Sequence, residues 1–212
     1  MKIVCLGIYW KNYEELAKFT FEENLRSYCK NNDYFYWSLM MNSELSTNRE
    51  EAMKQITIEK TNIYLNIFKN YGADYIFHLD CDSVITNHSI KLEEIIIKYR
   101  HDFLSGSDKN GISTGQFILK NTEANKALFR ESVHATENGK CDHGQDFINR
   151  FKKDLVFATP QRVMNSYDGE ARLEAKDEEA HWQEGDFLVH LTGLTLERRM
   201  DRLDYWKGKV KK

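Results

Sequence analysis

Residues 73–82 read Ala-Asp-Tyr-Ile-Phe-His-Leu-Asp-Cys-Asp. Ala73 to Leu79 is an apolar, aromatic run, and Tyr71-Gly72 stands before it as a helix stop. The run predicts a buried strand that releases Asp80, Cys81 and Asp82 at its C-terminal end. Two carboxylates one residue apart at a rigid strand end can reach a single divalent cation. Mg²⁺ or Mn²⁺ held this way keeps positions open for phosphate oxygens. The competing expectation is a pair of solvated turn aspartates, with Asp82 capping a following helix.

Working outward, Arg49–Asn70 has helical spacing at Met53, Ile56, Ile63, Ile67 and Phe68. Lys2–Ile8 predicts the first buried strand, closed by Gly7 and the pair Tyr9-Trp10. Tyr13–Asn31 predicts a helix, with Leu16, Phe19 and Leu25 on one face, and Tyr34–Met41 a second buried strand. Downstream, Leu92–Tyr99 reads as a helix and Phe103–Gly106 as a short strand. A polar loop, Ser107–Thr114, leads into a strand over Gly115–Lys120. Helices are expected at Glu123–Glu137 and His143–Phe151, and a short strand at Leu155–Ala158 before Pro160, the only proline. Gly169–His181 reads as a charged, loop-like insertion, Phe187–Leu191 as a late strand and Leu194–Trp206 as a final helix. Strands alternating with helices argue for an α/β three-layer sandwich, a mixed central sheet with helices on both faces. Ligands of such sheets gather at the carboxyl ends of strands, so Asp80–Asp82 and Tyr9-Trp10 are expected to share one cleft. Residues 1–206 form one domain on this pattern, and the Lys-rich residues 207–212 a solvated tail or linker.

The 212 residues suffice for one sizeable core. Thirty basic against 33 acidic residues leave a net charge of −3, which argues against nucleic acid or an anionic membrane as the main partner. A phosphate-bearing ligand would then need a metal or a few placed bases. Cys5, Cys29, Cys81 and Cys141 are scattered without a CxxC pair, which predicts reduced thiols in a reducing, cytoplasmic compartment, with two disulfides as the alternative. No run approaches the ~20 apolar residues that span a bilayer, and the apolar start is too short for a signal peptide. No membrane anchor is therefore expected in this chain.

Further candidates lie elsewhere. His190 ends Gly185-Asp186-Phe187-Leu188-Val189-His190, where a neutral imidazole either completes a metal shell or serves as a hydrogen-bonded structural residue. Thr192 and Gly193 follow and would let backbone approach a diphosphate. Gln145 and Asp146 open a predicted helix, where Asp146 is either an ordinary first-turn acid or, with Gln145, a group beside a reacting sugar. Lys60 is a solvated helical lysine unless its helix passes under a nucleotide.

Four segments together resemble one family. Tyr75–Asp82 (YIFHLDCD) looks like the strand and DxD motif of GT-A-fold glycosyltransferases. Gly115–Thr122 (GQFILKNT), Pro160–Tyr167 (PQRVMNSY) and Trp182–Gly193 (WQEGDFLVHLTG) resemble, in the same order, segments of the family 34 galactosyl- and xylosyltransferases. The resemblance implies a GT-A fold, a UDP-sugar donor, Mn²⁺ and retention at the anomeric carbon. It implies that Asp80 and Asp82 hold metal and donor diphosphate, with Cys81 between them, and that His190 is the third protein ligand. Gln145 and Asp146 match the family's acidic segment in altered order, the acid following the glutamine here. Lys60 matches a family lysine loosely.

On the same footing, Ile8, Tyr9 and Trp10 would flank the uridine, unless the two aromatics are core. Asp108 would bind donor-sugar hydroxyls. A glycan or glycoprotein is the implied acceptor, and the sugar would be of glucose, galactose, xylose or rhamnose type. Cellular members of the family carry an anchor and stem. The compact, anchorless chain resembles instead the N-terminal glycosyltransferase domains of capsid-glycan enzymes of large algal DNA viruses, which implies host cytoplasm and further domains after the C-terminus.

Three other classes compete. A sugar-phosphate nucleotidyltransferase would also set paired acids on a sheet edge, but the sequence has no Gly-rich phosphate loop. A non-catalytic nucleotide-sugar-binding domain would bind without turnover. A two-carboxylate glycoside hydrolase would leave the DxD spacing and His190 unexplained.

Overall fold

The computed structural model describes residues 1–108, 111–170 and 180–211. Its centre is a six-stranded sheet in the order β2-β1-β3-β6-β5-β7. The strands are β1 (Ile3–Trp10), β2 (Phe35–Met41), β3 (Tyr75–Leu79), β5 (Phe103–Asp108), β6 (Gly111–Lys120) and β7 (Phe157–Thr159). β1 pairs in parallel with both β2 and β3, while β6 runs antiparallel to β3 and β5, so the sheet is mixed. A second sheet orders β4 (Ser83–Ile85), β9 (Leu188–His190) and β8 (Ser166–Tyr167).

Alternation along the central strands makes two cores. Ile3 and Cys5 of β1, Phe77 and Leu79 of β3 and Ile118 of β6 face one side. There they meet Leu16, Phe21 and Leu25 of a continuous helical run. That run comprises α1 (Glu14–Ala17), a π-helical segment Lys18–Leu25 and α2 (Arg26–Asn32). Val4, Leu6 and Ile8, with Ile76, Phe117 and Leu119, face the other side. They are covered by Tyr64 and Ile67 of α3 (Arg49–Tyr71) and Leu128 and Phe129 of α5 (Glu123–Glu137). Asn48 caps α3 by accepting from Glu50 N and Glu51 N, and Gly72 ends it at φ +59°, where a side chain would be strained. The remaining α-helices among the described residues are α4 (Leu92–Tyr99), α6 (Gly144–Phe147), α7 (Gln161–Met164) and α8 (Leu196–Lys207). This is the expected three-layer α/β sandwich.

Several local expectations change. Tyr9 and Trp10 do not follow the first strand but belong to it, because β2 pairs with β1 out to Trp10↔Met41. In place of the expected polar loop, β5 and β6 run on as paired arms. Asn149 stabilises the β6 arm from outside, accepting from Ile112 N at 2.8 Å and donating to Ile112 O at 2.9 Å, as a neighbouring strand would. Asp108 therefore ends a strand, and its side chain lies outside the described residues, as do residues 171–179 of the charged insertion. The Lys-rich end is docked through Lys211, whose amide donates to Thr86 O at 2.8 Å and whose carbonyl accepts from His88 N at 2.9 Å. Lys207, Lys209 and Lys211 keep their charges in water while the backbone completes a pairing that side-chain polarity does not reveal.

Candidate active site

β3 delivers Asp80–Asp82 to a cavity of about 680 Å³. The turn is fixed by backbone: Asp80 N donates to Gly115 O at 2.7 Å, Ser83 N to Asp80 O at 3.1 Å, and Leu191 N to Asp82 O at 2.8 Å. The two carboxylates are thereby tied to β6 and to the residue after β9. Asp82 precedes β4, a strand, and caps no helix.

Each acid has a basic partner. Lys60 Nζ lies 2.6 Å from Asp80 Oδ1, and His78 Nε2 is 3.0 Å from the same oxygen. Arg199 Nη2 is 2.9 Å from Asp82 Oδ2, and His190 Nε2 3.1 Å from Asp82 Oδ1. Burial would raise the pKa of Asp80, but Lys60 and His78 outweigh it and hold the carboxyl well below its usual range. Burial opposes ionisation of Asp82 as well, and His190 and Arg199 reverse that. His78 is pushed down to about 4 by burial and by Lys60, so it stays neutral. For His190 burial favours the neutral ring, yet the Asp82 charge wins and raises its pKa. Burial lifts the Cys81 thiol to about 12, which leaves it protonated and unreactive.

His190 is aimed from behind. Its Nδ1 is 2.8 Å from Asn165 Oδ1, and Asn165 Nδ2 donates to Ser107 O at 3.1 Å. An Nδ1–H donated to Asn165 leaves Nε2 as the nitrogen that faces the acids. Asn165 is placed by a half-buried clamp: Arg162 makes paired bonds to Asp186 at 3.0 and 2.7 Å, and Ser166 Oγ donates to Asp186 Oδ2 at 3.0 Å. Two sequence segments distant from each other, PQRVMNSY and GDFLVH, thus form one support for one imidazole.

A divalent cation fits this donor set. Asp80 and Asp82 offer hard oxygens and His190 a borderline nitrogen. Gly115 keeps the space among them open, since a Cβ there would collide with Asp80 Oδ2. Among the described residues, however, no three such side chains already form a metal-ready cluster, because Lys60 and Arg199 hold the acids instead.

Ile8, Tyr9, Trp10, Lys60, Asp80, Cys81, Asp82, Gln145 and Thr192 all line the cavity. Trp10 Nε1 is buried without a partner among the described residues, and Tyr9 packs on Phe21 at 5.9 Å. Gly193, at φ +74°, stands beside Thr192 in open space. Gln145 and Asp146 separate. Gln145 Oε1 accepts from Thr114 N at 3.3 Å at the cavity wall, whereas Asp146 turns to Arg150 Nε at 2.6 Å and accepts from Asp142 N at 3.1 Å. The described cavity lining does not include Asp146, which serves as the ordinary first-turn acid of α6. Sequence reasoning missed Arg199 and Asn165. A basic residue in a charged helix and an Asn in a loop carry no local signal of where they point.

This is the GT-A glycosyltransferase fold, and the comparisons agree. Residues 98–201 match the galactosyl transferase GMA12/MNN10 family. The probable alpha-1,2-galactosyltransferase gmh1 of Schizosaccharomyces pombe is 24% identical over 87% of this chain and 68% of its own length. A glycosyltransferase involved in the glycosylation of the major capsid of PBCV-1 superposes with a TM-score of 0.75 at 12% identity, covering 97% of this chain and all of its own. The galactosyltransferase LgtC, in complex with donor and acceptor sugar analogues, gives a TM-score of 0.58 at 12% identity, with coverage of 98% and 100%. The chain is a glycosyltransferase that resembles the family 34 enzymes. No helix among the described residues is long and apolar enough to cross a membrane.

Proposed function

We propose that this enzyme transfers a hexose or deoxyhexose from a UDP-sugar to a glycan or glycoprotein, with retention and with Mn²⁺ or Mg²⁺ as cofactor. The observation that carries the proposal is the placing of Asp80 and Asp82 in the cavity wall, with His190 in contact with Asp82 and with Asp80 and His190 on either side of the side-chain-free Gly115. Asp80 and Asp82 would hold the cation with His190; when bound, it supplies charge neutralisation for the leaving diphosphate. The remaining chemistry belongs to the chain. Lys60 contributes fixed positive charge on the donor side. The unpartnered Trp10 Nε1 offers a buried donor to the nucleoside. Gln145, its carbonyl held by Thr114 N, presents its amide to sugar hydroxyls. Asn165 keeps the His190 ring in the tautomer that points Nε2 at the acids.

Galactose is the first donor to test, since the yeast relative is named a galactosyltransferase. A capsid glycoprotein is the first acceptor class, by analogy with the viral relative. Four buried free thiols suit a reducing cytoplasm, of the host if the source is viral. The decisive assay offers UDP-galactose, UDP-glucose, UDP-xylose and UDP-rhamnose with glycan acceptors, and reads UDP release and product mass. Transfer that EDTA abolishes and Mn²⁺ restores is the expected result. Transfer indifferent to EDTA defeats the metal role. Pyrophosphate release from UTP and a sugar phosphate would make the chain a nucleotidyltransferase, and binding without turnover would make it a nucleotide-sugar-binding module.

A further inference from the structure

Arg199 stands where a metal ion would have to work. It enters from the first turn of α8, its Nε donating to Leu191 O at 3.2 Å and its Nη2 lying 2.9 Å from Asp82 Oδ2. The other oxygen of Asp82 faces His190. Each oxygen of this acid therefore carries a basic partner; each also keeps a second lone pair, so what stands against a cation at Asp82 is the positive charge of those partners. His190 carries a ring nitrogen and can turn from rival to ligand. Arg199 cannot, because a guanidinium remains charged at any relevant pH. A dication beside Asp82 would lie within a few ångströms of that charge and repel it strongly in a site where the Asp82 side chain is only 13% exposed.

The displaced group does not have to leave the cavity. Arg199 is among the residues that line it, and its planar fork of N–H donors matches phosphate oxygens. We propose that Arg199 is an exchangeable counter-ion. It neutralises Asp82 in the empty enzyme, yields that acid to the metal, and then donates to the diphosphate of the donor. The proposal rests on the metal-dependent donor site described above.

It has a thermodynamic consequence. A metal binding alone must expel Arg199 without offering it a new partner; a metal binding with UDP offers one. Metal and nucleotide therefore strengthen each other's binding through this side chain, equally in both directions.

The test measures Mn²⁺ binding by electron paramagnetic resonance and UDP binding by calorimetry, in wild type, Arg199→Gln and Arg199→Lys. In Arg199→Gln, Mn²⁺ alone should bind several-fold more tightly, because its competitor is gone. UDP at saturating Mn²⁺ should bind about tenfold more weakly, the loss expected for a charge-assisted phosphate contact. Arg199→Lys should fall between wild type and Arg199→Gln on both measures. It also serves if Arg199→Gln loosens α8 enough to lower its melting temperature. If either affinity fails to move in its stated direction, the exchange is wrong. If wild type binds no Mn²⁺ with or without UDP, the metal site itself fails, a result distinct from any behaviour of the variants.

Discussion

Gly115 and Asp80 meet through an absent side chain. A Cβ on Gly115 would sit 2.9 Å from Asp80 Oδ2 and 3.5 Å from His190 Cε1, so the α-hydrogen alone separates a strand backbone from two candidate metal ligands. The backbone carbonyl of Gly115 also fixes the Asp80 amide. Gly115→Ala should therefore push Asp80 off position while leaving the pairing of β3 with β6 intact. Relieving the contact takes a shift of a few tenths of an ångström; a full 1 Å at such a site would cost roughly a hundredfold in rate, so a loss of about several-fold is expected. Steady-state kinetics should show that loss together with an unchanged far-ultraviolet circular dichroism spectrum. Full activity in the alanine variant would remove Gly115 from the site.

Asp82→Asn tests the charge rather than the shape. The amide keeps hydrogen bonds to His190 and Arg199 but gives up the anion. Mn²⁺-dependent stabilisation by UDP, about 2.7 kcal/mol at 100 times the dissociation constant in wild type, should vanish, while the unliganded protein still melts cooperatively. A persistent shift on adding both ligands would show that Asp82 does not hold the metal.

Asn165→Ala acts one residue further out. It strands the His190 Nδ1–H in a buried site and should destabilise the fold by about 1–3 kcal/mol, measured by urea unfolding. Mn²⁺ affinity should fall about 10- to 100-fold, as for other supports of a ligating histidine. Asn165→Asp retains the acceptor and should recover much of the metal affinity. Equal loss in both variants would mean that Asn165 matters for packing alone.

The helix start at α6 should respond to pH. His143 Nδ1 accepts from Asp146 N at 3.2 Å, a cap available only from the neutral ring. Burial lowers the His143 pKa below its ordinary value. The unfolded chain then takes up a proton that the folded state resists. Stability is full above about pH 6.5 and falls as pH drops toward the folded-state value. His143→Asn keeps an acceptor without a proton to gain. Between pH 7.5 and 5.5 it should lose less stability than wild type, by an amount within the 0.5–2 kcal/mol typical of a cap (about that range). Parallel stability curves would dismiss the histidine.

Much of the fold was legible because its strands and long helices state their burial locally. The runs ending at Leu79 and Met41, and the spacing along α3 and α5, need no distant information. The candidate metal acids were legible for the same reason: an apolar strand followed by DxD is a local pattern. β4, α7 and β8 were not, being two to four residues long and held by partners far along the chain. Polarity misled at residues 107–114, where the strand is completed by the side chain of Asn149 rather than by apolar packing. Asp146 and Gln145 sit side by side in sequence, and the rotation of about 100° between successive helical residues sends their side chains to different neighbours. Arg199 became visible only when α8 was folded back against the end of β9.

That folding back places the last strand-like pairing of the chain close to its reactive centre. Lys211 is joined through Thr86 to β4, which begins directly after Asp82, and α8 bridges the same interval carrying Arg199. Any segment joined directly after residue 211 is consequently attached to the scaffold that carries the candidate site. Donor affinity should be compared between N- and C-terminally tagged preparations before any kinetic value is taken as that of the enzyme.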